Sequence, residues 1–215
     1  MLSEQTTKLK RLYKERGVGG VLSCSLSRLS RAIFETNDAI WFLKELGAEA
    51  EEIKPNLPIT VTYERFQETL DWIRMQNEPW MLRQEEMSVA LSEGHYWLNS
   101  KYNETVMGYI KIGFRNVYIN DYRKIIRFPD SVAFIYDTFI HPEYRGRRAA
   151  SYLVNESFKF LSSKGFTKIL CHIPSWNRTS IAVYSGLGFR EVTTVRCVRF
   201  LGISFLNHNP AKLVL

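Results

Sequence analysis

The stretch His141-Pro142-Glu143-Tyr144-Arg145-Gly146-Arg147-Arg148-Ala149-Ala150 joins an apolar run to an amphipathic one through a basic corner. Upstream, Val132 to Ile140 is rich in β-branched and aromatic side chains, which suit a buried strand. Pro142 cannot continue a sheet ladder, so the strand is predicted to stop near His141. Downstream, Ala150, Leu153, Val154, Phe158 and Leu161 recur at helical spacing, which predicts a helix starting around Arg147 or Arg148. The first N–H groups of a helix lack partners and carry its positive dipole end, so a phosphate placed there collects several donors at once. Gly146 lets the backbone approach such an anion closely, and Arg145, Arg147 and Arg148 add charge. An exposed charge run is the plainer reading of the same arginines, and the strand-Pro-Arg-Gly-helix context favours the cradle.

Further on, Lys168 to Pro174 reads as a second strand, followed by Asn177, Ser180, Tyr184 and Gly188-Phe189. The spacing from Asn177 to Tyr184 is two helical turns, which puts both on one face of a short helix beginning near Asn177. An asparagine there also suits an N-cap.

Together these segments resemble the GNAT superfamily of acetyl-CoA-dependent N-acetyltransferases. The family's pyrophosphate loop has the pattern Gln/Arg-x-x-Gly-x-Gly/Ala; Arg145 and Ala150 fit it, and Arg148 stands where the pattern has glycine. As a residue of the first helical turn, Arg148 is expected to have ordinary helical dihedrals and to keep its N–H for an anion. The second segment is similar to the family's Asn-x-x-Ala-x-x-x-Tyr-x-x-x-Gly-Phe, with Ser180 in place of alanine. The resemblance implies an α/β fold with a mixed central sheet and a splayed strand pair. It implies acetyl-CoA as acyl donor, held by Arg145, Gly146, Arg147, Arg148, Ala149 and Ala150 at its phosphates. Its pantetheine arm would lie against backbone at Thr138, Phe139 and Ile140 and be hydrogen-bonded by Asn177. Tyr184 would reach the sulfur as general acid, a role for which a phenol protonated at neutral pH is suited. A packed core tyrosine is the alternative reading of Tyr184.

The amine acceptor must lose a proton, directly or through water. Asp137 is the first candidate base, because a carboxylate in an apolar strand is costly unless paired or functional. Burial as a hydrogen-bonded or arginine-paired group explains it equally well. His141 is the second candidate, against its reading as a turn residue before proline. His95 and Glu93 are spatial possibilities only. Trp72, Trp80, Tyr96 and Trp97 are expected near the acceptor, which the resemblance makes a primary amine of a small molecule or amino sugar. A protein N-acetyltransferase and a non-catalytic acyl-CoA-binding protein of the same fold are the competing readings.

With 215 residues, of which 45% are hydrophobic and 13% aromatic, the chain can bury a core without an oligomer, and a homodimer stays open. The widely spaced Cys24, Cys171 and Cys197 form no metal pattern and are expected to be reduced thiols. No apolar run reaches membrane-spanning length, so the cytoplasm is the expected location. The net charge of +7 suits anionic partners, CoA among them. Within residues 8–31, Lys8, Lys10, Arg11, Lys14, Arg16, Arg28 and Arg31 make a basic, partly amphipathic segment. It suits an anionic membrane surface, or a solvated helix docked on its own domain. No RNA-binding motif accompanies it, which counts against nucleic acid.

The predicted organisation is a basic helical extension and connector over residues 1–56 and an acetyltransferase domain over 57–215. Within that domain, Ile59 to Tyr63 reads as the first core strand, Glu64 to Gln76 and Leu82 to Glu93 as helices, and His95 to Asn99 with Thr105 to Phe114 as a hairpin. Asn116 to Pro129 reads as a loop, and Glu191 to Leu201 and Ile203 to Leu206 as late strands. Ala32 to Leu46 reads as additional strand material of undefined role.

Overall fold

The computed structural model describes residues 34–47, 52–63, 83–210 and 212. In chain order the elements are β1 (Phe34–Glu45), β2 (Thr60–Thr62), α1 (Gln84–Glu93), β3 (Tyr96–Tyr102), β4 (Thr105–Phe114), β5 (Asn116–Ile119), β6 (Lys124–Arg127), β7 (Val132–Ile140), α2 (Ala149–Ser163), β8 (Lys168–Pro174), α3 (Arg178–Gly186), β9 (Arg190–Phe200) and β10 (Ile203–Leu206). A single 3-10 turn, Pro142–Tyr144, lies between β7 and α2. The predicted helix over Glu64 to Gln76, the basic segment of residues 8–31, Cys24, Trp72 and Trp80 lie outside the described residues.

Among the described residues, eight strands form one sheet in the order β10-β9-β1-β8-β7-β4-β3-β2, in which the only parallel neighbours are β7 and β8. This is the mixed α/β sheet expected from the sequence. Two expectations need correction. The boundary at residue 57 left residues 1–56 outside the domain as a helical extension, but β1 is a twelve-residue strand inserted between β8 and β9. Its alternating Ile40, Trp41, Phe42 and Leu43 bury side chains on both faces of the sheet, the pattern of an interior strand. The predicted loop over Asn116 to Pro129 contains the small hairpin β5–β6, whose Val117, Ile119 and Ile126 are buried.

Side-chain alternation divides the core into two layers. On one face Ile112, Ile135, Ile169, Cys171 and Ile173 meet Leu153, Val154, Phe158 and Leu161 of α2 and Tyr184 of α3. On the other, Trp41, Leu43, Phe134 and Leu170 meet the β5–β6 hairpin through Val117, Ile119, Tyr122 and Phe128. Trp41 Nε1 donates to the Tyr122 hydroxyl at 2.9 Å, tying β1 to that hairpin. Cys171 and Cys197 are free thiols, as expected, and buried.

The β3–β4 hairpin turns through Asn103 and Glu104, both at positive φ, which its two-residue connection requires. Gly108 on β4 serves a different purpose: a Cβ there would run into the Phe139 carbonyl and Ile140 side chain of β7. Its absence lets the two strands lie close where the candidate site begins.

Candidate active site

The parallel pairing of β7 with β8 runs from Val132 with Lys168 to Ile135 with Cys171 and goes no further. At that point β7 carries a bulge. Ile112 of β4 faces Ile135 while Lys111 faces Asp137, leaving Tyr136 as the extra residue. A bulge bends its strand and raises the local twist. Beyond it β7 stays bonded to β4 while β8 stays bonded to β1, so the two strands part. The facing backbone edges of Asp137 to Ile140 and of His172 to Pro174 are thereby left without a strand partner.

The gap is a cleft of about 170 Å³ lined by Asp121, Ile135, Tyr136, Asp137, Thr138, Cys171, His172, Ile173, Pro174, Asn177, Ser180 and Tyr184. That volume is below the usual range for a whole drug-sized ligand, so the cleft suits the reacting end of a longer molecule. It passes between the two layers of the core. Tyr184, Asn177 and Ser180 come from the helical side, whereas Tyr136 and His172 pack with the Trp41 layer.

Pro174 ends β8, and Asn177 starts α3 by accepting a hydrogen bond from Ser180 N at 3.2 Å, the expected N-cap. Two turns on, the Tyr184 hydroxyl lies 2.8 Å from Thr138 Oγ1 of β7. Burial pushes the Tyr184 phenol far above its ordinary range, so it keeps its proton at neutral pH.

At the end of β7, Arg145 Nε donates to the Ile140 carbonyl at 3.0 Å. Gly146 has φ +74° with open space about its Cα, and Arg145, Gly146, Arg147 and Arg148 are exposed. The Arg147 carbonyl accepts from Asn56 N at 3.1 Å, so the connector braces the loop. Arg148 corrects the sequence reading. It has φ +61° and ψ 12°, a left-handed conformation, and stands before α2 as its N-cap, so it is not a residue of the first helical turn. Its side chain caps nothing, and α2 opens at Ala149 with no acidic residue in its first turn. The left-handed conformation costs a non-glycine residue about 1–2 kcal/mol, partly offset because glycine loses about 0.5–1 kcal/mol more entropy on folding. Arg148→Gly is therefore expected to raise stability by up to about 1 kcal/mol, read as a Tm increase of about 2–4 °C. A β-branched residue there should lower it.

Asp137 is paired. Its Oδ2 accepts from the Tyr109 hydroxyl at 3.0 Å and from Lys111 Nζ at 3.1 Å. Lys111, almost wholly buried on β4, also donates to Glu86 Oε1 of α1 at 2.7 Å, and Asn120 donates to the other Glu86 oxygen. Burial disfavours the ammonium, but the Asp137 and Glu86 carboxylates outweigh it and hold its proton more tightly than usual. Removing the cation would leave two carboxylates facing each other in a poorly solvated site. Lys111→Met is expected to cost about 3–5 kcal/mol. A thermal melt should show a fall on the order of 6–20 °C, with Glu86→Gln in the same chain restoring part of it.

His141 is not brought to the cleft; its Nδ1 lies 3.5 Å from Glu143 Oε1 in the turn below. His95 and Glu93 also lie outside it, bonded to Asn116. Trp97 is buried over Lys111 and does not line the cleft. Two lining residues escaped sequence reading. Asp121 sits in the turn between β5 and β6, and His172 near the end of β8, with His172 Nε2 3.0 Å from Asp121 Oδ2. The available signal was His172's polar position inside an apolar strand; nothing local marked Asp121.

The chain matches the family described as Acetyltransferase (GNAT) family over residues 59–189. It is 26% identical over 72 residues to a thialysine N-epsilon-acetyltransferase of Bos taurus, a match spanning 32% of this chain and 42% of that protein. A GCN5-related N-acetyltransferase from Sphaerobacter thermophilus superposes with a TM-score of 0.53 at 15% identity, covering 83% of this chain and 56% of that one. A GCN5-related glucosamine N-acetyltransferase region of a fungal multi-domain GH3 beta-N-acetylglucosaminidase gives 0.54 at 14% identity, covering 83% and 23%. These two likenesses concern the fold. With most of the sheet, the cleft and its flanking helices inside the matched region, the chain belongs to the acetyltransferase (GNAT) family.

Proposed function

We propose that the protein is an N-acetyltransferase that moves an acetyl group from acetyl-CoA to a primary amine of a small molecule or amino sugar. The observation that carries this reading is the cleft itself: a gap with free backbone edges, the Tyr184 hydroxyl inside it, and the uncapped start of α2 beyond the end of β7. Acetyl-CoA supplies the acyl group as an activated thioester.

The residues present fit it. The N–H groups at the start of α2, the open backbone at Gly146 and the exposed Arg145, Arg147 and Arg148 suit the diphosphate. The unpaired edge of β7 around Thr138, Phe139 and Ile140 suits an amide-bearing arm laid in as an extra strand, with Asn177 beside it. A backbone N–H of that edge polarises the thioester carbonyl, and Tyr184 gives its proton to the departing sulfur. Asp137 is assigned no proton transfer, since Tyr109 and Lys111 already occupy its carboxylate. The small-molecule acceptor is supported by the relative that acts on thialysine and by the small cleft volume.

Calorimetric titration with acetyl-CoA tests the donor. Micromolar binding, weakened at least tenfold in Arg147→Ala/Arg148→Ala, is expected, each lost charge-assisted contact being worth about 1.5–3 kcal/mol. Thiol release with thialysine and glucosamine as acceptors then tests transfer. No binding by folded protein would overturn the reading, and binding without transfer to any amine would leave an acyl-CoA-binding protein.

A further inference from the structure

The cleft also holds a histidine, His172, that the reading above leaves without a task. The His172 side chain is more than nine-tenths buried, in a box of aromatic rings: Trp41, Tyr122 and Phe134 each have centroids 5.6 Å from its own, the last stacked with its plane almost parallel. The box fixes the ring plane. One nitrogen, Nε2, is tied to Asp121 Oδ2, while the other, Nδ1, is buried with no partner. Asp121 is itself anchored, because its backbone carbonyl accepts from Arg199 at 2.9 Å. A carboxylate that holds one imidazole N–H leaves the second nitrogen as a lone-pair acceptor, and such an acceptor is costly to bury unless a donor comes to it. Both residues line the cleft.

We infer that His172 is the general base that takes the proton of the acceptor ammonium at Nδ1, directly or through one water, with Asp121 as the positioning residue that fixes its tautomer. This rests on the proposed acetyl transfer to an amine. The ammonium proton passes to Nδ1 and on to solvent. The freed lone pair forms the C–N bond as the C–S bond breaks. Tyr184 gives its hydroxyl proton to the sulfur and is reprotonated by the second proton lost from nitrogen. Acid and base thus line one cleft from opposite layers of the core, with the splay of β7 and β8 as the passage between them.

Among the described residues, the titratable and charged groups around the His172–Asp121 pair are Tyr122 from the β5–β6 turn, Tyr136 and Asp137 from β7, and, on the Asp121 side, Cys197 and Arg199 from β9 and Arg83 before α1. The hydrogen bond from His172 holds the Asp121 carboxyl below the usual carboxylate range, so it stays ionised as the orienting partner.

His172→Gln should lower kcat about 10²- to 10⁴-fold with protonated acceptors such as thialysine and glucosamine, the span typical of one proton-transfer group. Acetyl-CoA affinity should stay within threefold of wild type. Trifluoroethylamine, already unprotonated at neutral pH, should lose far less. Asp121→Asn should lower kcat with little change in acetyl-CoA binding, and it keeps the ring in place should His172→Gln fail to fold. Imidazole nitrogen NMR on the wild type gives a readout independent of turnover: Nε2 protonated, Nδ1 bare, and the Nδ1 signal moving on addition of ethylammonium. Wild-type rates in both variants, equal losses with every amine, or a bare Nε2 would overturn the inference. Absent acetyl-CoA binding would overturn the proposed function, while the NMR result would still decide the state of His172.

Discussion

A chain beginning at residue 47 should fail to give a cooperative thermal melt, although it retains the whole region that matches the family. The reason is β1. Ala39, Trp41, Phe42 and Leu43 are 0–3% exposed, and the strand is hydrogen-bonded on both sides. Burying a large apolar side chain is worth about 1.5–3 kcal/mol, so Trp41, Phe42 and Leu43 together contribute on the order of 5–9 kcal/mol. That is comparable to the entire stability of an ordinary domain, about 5–15 kcal/mol. Removal would also open β8 along seven paired positions and separate β9 from the sheet. Trp41→Ala is the milder form: about 3–5 kcal/mol is expected, with loss of the hydrogen bond to Tyr122 adding to the cavity. A melt of residues 47–215 near the wild-type temperature would show that β1 only decorates the sheet.

The second large effect concerns chemistry. Tyr184→Phe should lower kcat about 10²- to 10³-fold while acetyl-CoA affinity changes little, because the ring and its packing remain and only the proton donor is removed. The ring lies edge-on to Phe189 at 5.0 Å, a contact phenylalanine preserves. The partner hydroxyl of Thr138 loses its bond, at a cost of about 1 kcal/mol in stability, which a melt can separate from the kinetic loss. Full turnover by Tyr184→Phe would reduce Tyr184 to a core residue with a satisfied hydroxyl. Comparing it with His172→Gln is informative, since removal of either end of the proposed proton path should spare donor binding.

Much of the site was legible along the chain. The strands Val132–Ile140 and Lys168–Pro174 are legible because both are rich in apolar and β-branched residues and proline ends or follows them. Asn177, the N-cap of α3, and Tyr184 within it lie two turns apart, a spacing that is a property of the helix alone. The hairpin from Tyr96 to Phe114 followed from its polar turn. These features depend on residues within a few positions of one another, and backbone sterics and periodicity act at that range.

Only tertiary structure decided the rest. The Asp121–His172 contact joins residues 51 apart, and Trp41–Tyr122 joins residues 81 apart. Nothing local marks Lys111, whose role exists only because Glu86 and Asp137 are brought to it from two other elements. The left-handed Arg148 was hidden because the dihedrals of a helix-entry residue are imposed by the strand and loop before it. β1 read as strand material without an address, since its hydrophobic pattern shows that both faces are buried and says nothing of which strands lie beside it. Periodicity determines which side of an element is apolar; the choice of neighbour is made by long-range packing, and the cleft exists where that packing lets β7 and β8 part.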